Sequence, residues 1–411
     1  MHDRIAMRRL TVERLQGPEA LGDITAEWDL LDRQTSPRTP FTSPSWIIPW
    51  WRHFSRCRET LLRHEFFCHV VRSDGGRLVA VAPLMRTSVP GIGPPVMRML
   101  QFFGADPALT EIRGVICRLE DQLPVVEALV GHFLARRNEW DVFCWTGLRY
   151  PVDTYCALRP TCAFTAREDL PDFVVELPKS WNDLCLKVSS NMRKNLRKCY
   201  EFLERDGFAV ALRVTERPGD VEAAMARFLA LHAARADAVG LIYHPDKFAR
   251  ARERGFLGDY LRGAADRGEL RIFELEIGGA VVASRVAFLI GSDLYLYFAG
   301  YDPAWKNYSV MTVLMTEVFK WSLAHGVERV NLSTGRDQSK ERWKPREVLF
   351  GNAVQISPTW RALMGFGSFC AYEALGRTPA GRRLHSHSVS RECVRRWLHA
   401  WASTSSLRIA Q

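Results

Sequence analysis

The sequence predicts an α+β protein of two lobes, each a mixed, mainly antiparallel sheet flanked by helices, followed by a basic helical tail. Three observations predict it. Apolar runs are folded back on themselves at Gly75-Gly76 and again at Gly278-Gly279, a turn chemistry that marks β-hairpins. Around each hairpin the same plan recurs: helices before it, an apolar strand, a helix of 3.6-residue period, then another strand. The length of 411 residues, with 47% hydrophobic side chains, suits two or three units at ~100–200 residues each.

The first lobe runs from about 10 to 165. Glu27 to Leu31 is helical in pattern, and Thr42-Ser43-Pro44 opens a second helix, Ser45 to Phe54, with polar caps and a proline in its first turn. Phe66–Val71 and Leu78–Met85 read as the two strands of the first hairpin, and 90–95 is a Gly/Pro loop. Glu120 to Arg137 has helical periodicity, and Asp141 to Thr146 reads as a buried strand. A linker, 151–171, separates the lobes.

The second lobe spans 172–356. It opens with a strand, 172–177, a helix, 180–188, and a strongly basic helix, 191–205, stopped by Asp206-Gly207. A strand follows over 208–214, then helices over 220–236 and 256–267. Strands over 270–277, 281–289 and 293–301 form a three-strand meander. Ser309 to His325 is a long helix ended by Gly326, and strands over 328–332 and 352–356 complete the lobe.

Charge and cysteines narrow the function classes. The net charge is +10, and residues 357–411 carry eight arginines against Glu373 and Glu392. A basic tail with Trp360, Phe366, Phe369, Tyr372, Trp397 and Trp401 suits an anionic partner such as a membrane surface, and equally a solvated helical extension. No apolar run reaches the ~18 residues of a membrane span, and the charged N-terminus does not read as a signal peptide. The expectation is a cytoplasmic protein, peripheral to a membrane at most. Ten scattered cysteines without a C-x-x-C pair read as reduced thiols, and no metal-ligand spacing is present. Zinc-finger spacing and aromatic ribonucleoprotein strings are also absent, so DNA is not an expected partner. The chain has no Gly-x-Ser-x-Gly elbow and no Gly-x-x-x-x-Gly-Lys loop, which weakens hydrolase and NTPase readings.

Specific strings carry a family likeness. They are Ser190-Asn191-Met192-Arg193-Lys194-Asn195-Leu196-Arg197-Lys198, Gly278 to Ala283, Gly300-Tyr301-Asp302-Pro303, and Gly335 with Lys340 and Trp343. In the first lobe, Pro44-Ser45-Trp46 through Trp50-Trp51 adds to them. In their order and spacing these strings resemble the FemAB-like, CelD-type branch of the GNAT acyltransferase superfamily, found near bacterial cellulose, exopolysaccharide and envelope genes. The resemblance covers most of residues 40–356. It implies two tandem GNAT-like lobes and an N-acyltransferase, acetyltransferase first, that uses acetyl-CoA or another acyl-CoA. The implied acceptor is a small molecule or glycan precursor offering an amine or hydroxyl. Aminoacyl transfer from charged tRNA, as in FemAB-type enzymes, is an alternative, as is a non-catalytic scaffold for a membrane polysaccharide synthase.

A thioester donor with a pyrophosphate needs free backbone N–H groups, and a helix start supplies them with a favourable dipole. The strand-to-helix joint after Tyr301 is that place in the GNAT plan. Trp305, Lys306, Asn307, Tyr308, Ser309, Val310 and Met311 are therefore the candidate donor-binding residues, with Ser309 as helix cap and Lys306 as cationic helper. The superfamily's Gln/Arg-x-x-Gly-x-Gly/Ala loop is missing, and Ser309-Val310-Met311 stands where this branch more often has Ser-Pro-Gly. The candidate bases are Asp302 and Glu274, with Glu276 and Asp337 behind them; Tyr308 is the candidate acid for the departing thiolate. Arg193 and Arg197, four residues apart on the basic helix, together with Asp337 and Lys340, are candidate acceptor-binding residues.

Overall fold

The computed structural model describes residues 10–56, 62–105, 109–158, 164–238 and 244–367. The chain divides into two compact units, residues 1–170 with 349–411 and residues 171–348.

The first unit contains strands β1 (Leu10–Arg14), β2 (Arg63–Phe66), β3 (His69–Ser73), β4 (Leu78–Ala82), β5 (Leu84–Val89), β6 (Met97–Phe102), β7 (Ile116–Cys117), β8 (Val142–Leu148) and β9 (Phe164–Ala166). Its helices are α1 (Ala20–Asp23), α2 (Thr25–Asp32), α3 (Pro44–Phe54), α4 (Gln122–Ala135) and α5 (Val152–Leu158). Each arm of the expected hairpin is two strands, not one. Pro83 has no N–H to give a ladder, and the chain bends there and at Phe67-Cys68. The outer halves β3 and β4 pair in one sheet, while β2 and β5 pair in another. Ser43 caps α3, its side chain accepting from the Trp46 N–H at 3.3 Å. A core of Phe67, Leu129, Phe133, Trp140, Phe143 and Trp145 fills the unit.

The second unit contains β10 (Leu170–Glu176), α6 (Trp181–Lys187), α7 (Ser190–Arg205), β11 (Val210–Thr215), α8 (Val221–Ala236), α9 (Ala251–Asp266), β12 (Leu270–Ile277), β13 (Ala280–Ile290), β14 (Asp293–Tyr301), α10 (Val310–Ala324), β15 (Arg329–Thr334) and the short α11 (Gln338–Glu341). Antiparallel β11-β12-β13-β14 form the meander, with Gly278 and Gly279 at φ 59° and 81° in its first turn, a conformation that glycine enters without strain. The helix α10 then crosses over, so that β15 runs parallel to β14, and β10 pairs antiparallel with β15. The face bearing Phe273, Leu275 and Ile277 packs with Leu196 and Leu203 of α7 and Val313, Leu314 and Phe319 of α10. The other face meets α8 so closely that a Cβ on Gly300 would lie 2.3 Å from the His232 backbone nitrogen.

The strand expected over 352–356 is longer than the sequence suggests. It runs over Arg346–Ile356, and its Gly351–Ile356 stretch pairs antiparallel with β8 of the first unit. Ala353 and Gln355 are buried there, and the Trp145 indole N–H donates to Gln355 Oε1 at 2.9 Å. These contacts, which sequence periodicity cannot assign to a lobe, decide the pairing. The tail expected from 357 is described only to 367; Phe369, Tyr372, Trp397 and Trp401 lie outside the described residues.

The candidate active site

The meander sets up the site by coming apart. In the second unit, β14 and β15 are in parallel register for three residue pairs, ending at Tyr295 with Asn331, yet the strands run on to Tyr301 and Thr334. Beyond Asn331 the chain of β15 stays with β10 through Asp172 and Thr334. The Asn331 amide fixes this, donating to Asp172 Oδ2 at 2.7 Å and accepting from the Ser333 N–H at 2.7 Å, with Ser333 at φ 68°. The two strands therefore splay, and the edge of β14 past Tyr295 is left without that partner.

A pocket of about 470 Å³ opens between the splayed ends. Its walls are the start of α10 (Lys306, Ser309 to Thr312, Met315), Tyr301 and Leu332 from the strands, Arg285 from β13, Asn195 from α7, Arg235 and His244 from the far side, and the loop that carries Asp337, Lys340 and Arg342. Five cationic side chains face one carboxylate, so the pocket favours an anion.

Of the seven residues expected at the donor end, Lys306, Ser309, Val310 and Met311 line the pocket. Trp305, Asn307 and Tyr308 do not. Residues Pro303–Tyr308 form a 3-10 turn that carries Trp305 and Tyr308 against Phe208, with ring centroids 5.1 and 5.7 Å away. Asn307 is exposed. Ser309 does not cap α10 with its hydroxyl. It sits at φ 52°, ψ 42°, with its side chain beside the Cys199 thiol. The Ser309 carbonyl does the capping instead, accepting from Thr312 and Val313 N–H at 2.7 and 3.2 Å. A left-handed serine costs roughly 1–2 kcal/mol, and here it turns the 3-10 segment into α10. Helix geometry leaves the Val310 and Met311 N–H groups without intrahelical acceptors.

The expected catalytic residues lie elsewhere. Asp302 Oδ1 accepts from the Ala304 N–H at 2.9 Å and caps the 3-10 turn. Tyr308 donates its hydroxyl to Asp206 Oδ2 at 2.8 Å, which raises its pKa, while Arg205 and Tyr308 together hold the Asp206 carboxyl down at about 2. Glu274 is wholly buried on the α8 face, and both its oxygens are taken by Arg227 at 2.6 and 2.8 Å. Glu276 pairs with Arg213 at 2.7 Å. None of the four lines the pocket, because strand alternation and the 3-10 turn point them away from it.

The acceptor candidates divide. Asp337 lines the pocket and caps α11, accepting from the Ser339 N–H at 2.6 Å. Burial pushes its pKa up, but the hydrogen bonds from Ser339 and the Lys340 and His244 charges outweigh burial and leave it lowered. Lys340 also lines the pocket, although its ammonium is turned onto the Thr334 carbonyl at 2.6 Å and onto the Ser333 hydroxyl and carbonyl; it staples the loop after β15. Arg193 donates to the Val188 and Cys185 carbonyls at 2.7 and 3.2 Å and so caps α6. With exposed Arg197 it lines a separate groove of about 440 Å³ beside Trp181 and Tyr200. The basic stripe of α7 thus faces away from the pocket, and only Asn195 of that helix reaches it.

Sequence reasoning missed Arg235, His244, Arg285 and Arg342. Arg235 hangs over the Tyr301 ring at 5.7 Å, and burial lowers its pKa. His244 has its pKa lowered by burial and then by the Arg235 charge, with the Asp337 charge acting against them. The imidazole is therefore neutral at neutral pH.

No curated protein matches the chain. Residues 190–344 match the family model of the acetyltransferase (GNAT) domain. Among solved structures, FemX is similar at 10% identity and a TM-score of 0.54, over 82% of this chain and 96% of that one. The C-terminal domain of a putative lysylphosphatidylglycerol synthetase from Agrobacterium fabrum aligns at 14% identity and TM-score 0.46, over 85% and 96%. A tandem GNAT protein from the clavulanic acid biosynthesis pathway aligns at 12% identity and TM-score 0.42, over 85% and 100%. The meander, the α10 crossover, the splayed parallel pair and the family match fall on the same residues: the second unit has the GNAT fold.

Proposed function

We propose that the second unit transfers an acyl group from a thioester donor, acyl-CoA, to an amine or hydroxyl acceptor. The observation that carries this reading is the open splay. The β14–β15 register stops at Tyr295 and Asn331, the pocket begins there, and the bulky Trp305 is packed on Phe208 instead of filling it.

Lys306 and the Val310 and Met311 N–H groups would hold the donor's pyrophosphate at the positive end of α10. The unpaired edge of β14 offers backbone N–H groups to the oxyanion that forms as the acceptor attacks the thioester carbonyl. A C–N or C–O bond forms, the C–S bond breaks, and the thiolate leaves. The acceptor must give up a proton. Neutral His244 is the group in the pocket suited to take it, and the Asp337 carboxylate stabilises the imidazolium that results. Arg235 and Arg285 favour an acceptor that is itself anionic. A sugar precursor of bacterial surface polysaccharide fits that chemistry, and the resemblance of Ser190 to Lys198 and Gly300 to Pro303 to the CelD-type branch supports it.

Isothermal titration with acetyl-CoA and coenzyme A tests the donor. Wild type is expected to bind with a micromolar constant, and Lys306→Ala to bind roughly tenfold more weakly through loss of one charged hydrogen bond. Absence of binding to either ligand would refute the acyl-CoA reading and leave aminoacyl-tRNA, or a scaffold role, as the reading to pursue.

A further inference from the structure

Away from the acyl-transfer site, the first unit carries a helix over 360–367 whose outward face is the wrong polarity for water. The helix begins at Trp360, after Thr359, whose side chain accepts from the Ala362 N–H at 3.3 Å. Its inner face is anchored. Ala362 is fully buried, Arg361 pairs with Asp141 at 2.6 Å, and Phe366 packs near Met97, Met99 and Val354. Its outer stripe follows helical spacing, yet it holds Trp360, Leu363 and Met364, exposed by 79%, 60% and 65%. The loop between β5 and β6 lies alongside: a Cβ on Gly365 would sit 3.4 Å from the Val96 carbonyl oxygen. That loop adds Ile92 and Val96, exposed by 67% and 64%. Five large apolar side chains from two adjoining segments thus stand in solvent, where scattered single ones would be ordinary.

The chain that continues from this helix says what covers the patch. Residues 368–411 contain seven arginines, at 377, 382, 383, 391, 395, 396 and 408, no lysine, and only Glu373 and Glu392 as acidic side chains. A tryptophan-bearing apolar stripe followed in the sequence by a strongly positive segment is complementary in character to an anionic bilayer. An apolar stripe of this kind suits insertion among acyl chains at the headgroup boundary, and an arginine-rich composition suits lipid phosphates. We propose that the Trp360–Met364 stripe and the Ile92–Val96 loop form a docking surface for anionic phospholipid membranes.

The test is flotation of the full chain with unilamellar vesicles of phosphatidylcholine, with and without phosphatidylglycerol. Wild type is expected to float with the mixed vesicles and far less with the neutral ones. The double variant Leu363→Glu, Met364→Glu, on exposed positions and checked for an unchanged melting temperature, is expected to lose about tenfold or more in partitioning. Vesicles with brominated acyl chains should quench wild-type emission more than that of Trp360→Phe. Flotation unaffected by the double variant would leave binding to the arginines alone and overturn the proposal. Failure of wild type to float would overturn it as well. So would a concentration-dependent dimer that the same variant abolishes, since the stripe would then belong to a second copy of the chain.

Discussion

At the scale of single residues, the side chains that line the pocket coincide only in part with those the sequence suggests. Asp302 and Tyr308 look reactive in the sequence because they flank the helix start, but the 3-10 turn spends one on a cap and the other on Asp206. Glu274 sits on β12, where strand alternation sends it to the α8 face and Arg227 holds both its oxygens. His244 was invisible because its place in the pocket depends on neighbours distant in sequence: Arg235 on α8, Tyr301 on β14 and Asp337 beyond β15. Its behaviour with pH follows from its lowered pKa. The base must be unprotonated, so kcat should rise with pH below the ordinary imidazole value of about 6.5 and level off above it. His244→Gln should lower kcat by roughly 10²–10⁴-fold and remove that limb, while coenzyme A binding by calorimetry stays as in wild type. A limb that persists in the variant would assign the proton to another group.

At the scale of elements, helix and strand boundaries were legible wherever caps and turns punctuate the chain. The strand Asp293–Tyr301 falls where apolar patterning puts it, and α7 ends at Asp206-Gly207. The bends that split the first hairpin were not legible, because an apolar run looks the same whether or not its strand changes sheets. Nor does the residue pattern of β14 and β15 tell where their pairing stops; that depends on Asn331, Asp172 and the left-handed Ser333 together. The approach of α8 to β14 is the element contact with the least slack. Gly300→Ala would push a methyl into the His232 backbone, which α8 can avoid only by lifting off the sheet. The expected result is destabilisation by about 1–3 kcal/mol or more, read by chemical denaturation, together with weaker coenzyme A binding because Tyr301 moves with the strand. An unchanged midpoint would mean that α8 sits less tightly than this contact implies.

At the scale of the molecule, each unit carries a parallel strand pair joined by a crossover helix: β6 and β8 through α4, β14 and β15 through α10. Their helix starts differ in charge. Acidic Glu120 and Asp121 precede α4, with Gln122 bound to the Tyr155 hydroxyl at 2.7 Å, whereas Lys306 precedes α10. The first unit also has its own response to acid. His69 is buried with its ring nitrogen 2.7 Å from the Phe67 carbonyl, and its ring meets His132 at 5.1 Å. Burial, then the His132, Arg14 and Arg136 charges, lower the His69 pKa to about 3; burial, then Arg136, lowers that of His132 to about 4. The unfolded chain takes up protons near pH 6.5 that the folded unit refuses. Stability is therefore full above about 6.5 and declines as pH falls from there toward about 4. Calorimetric scans across that range should show the fall, and His69→Phe should flatten it; an equal slope in the variant would place the acid response elsewhere.

The pairing of Gly351–Ile356 with β8 also bears on the chain's birth. Everything from Pro171 to Val348, the whole second unit, is an insertion between two parts of the first unit's sheet. A ribosome delivers the segments in order, so the second unit can finish folding while the first still lacks the strand that buries Ala353 and Gln355 against Trp145. The N-terminal unit, made first, is the last to be completed.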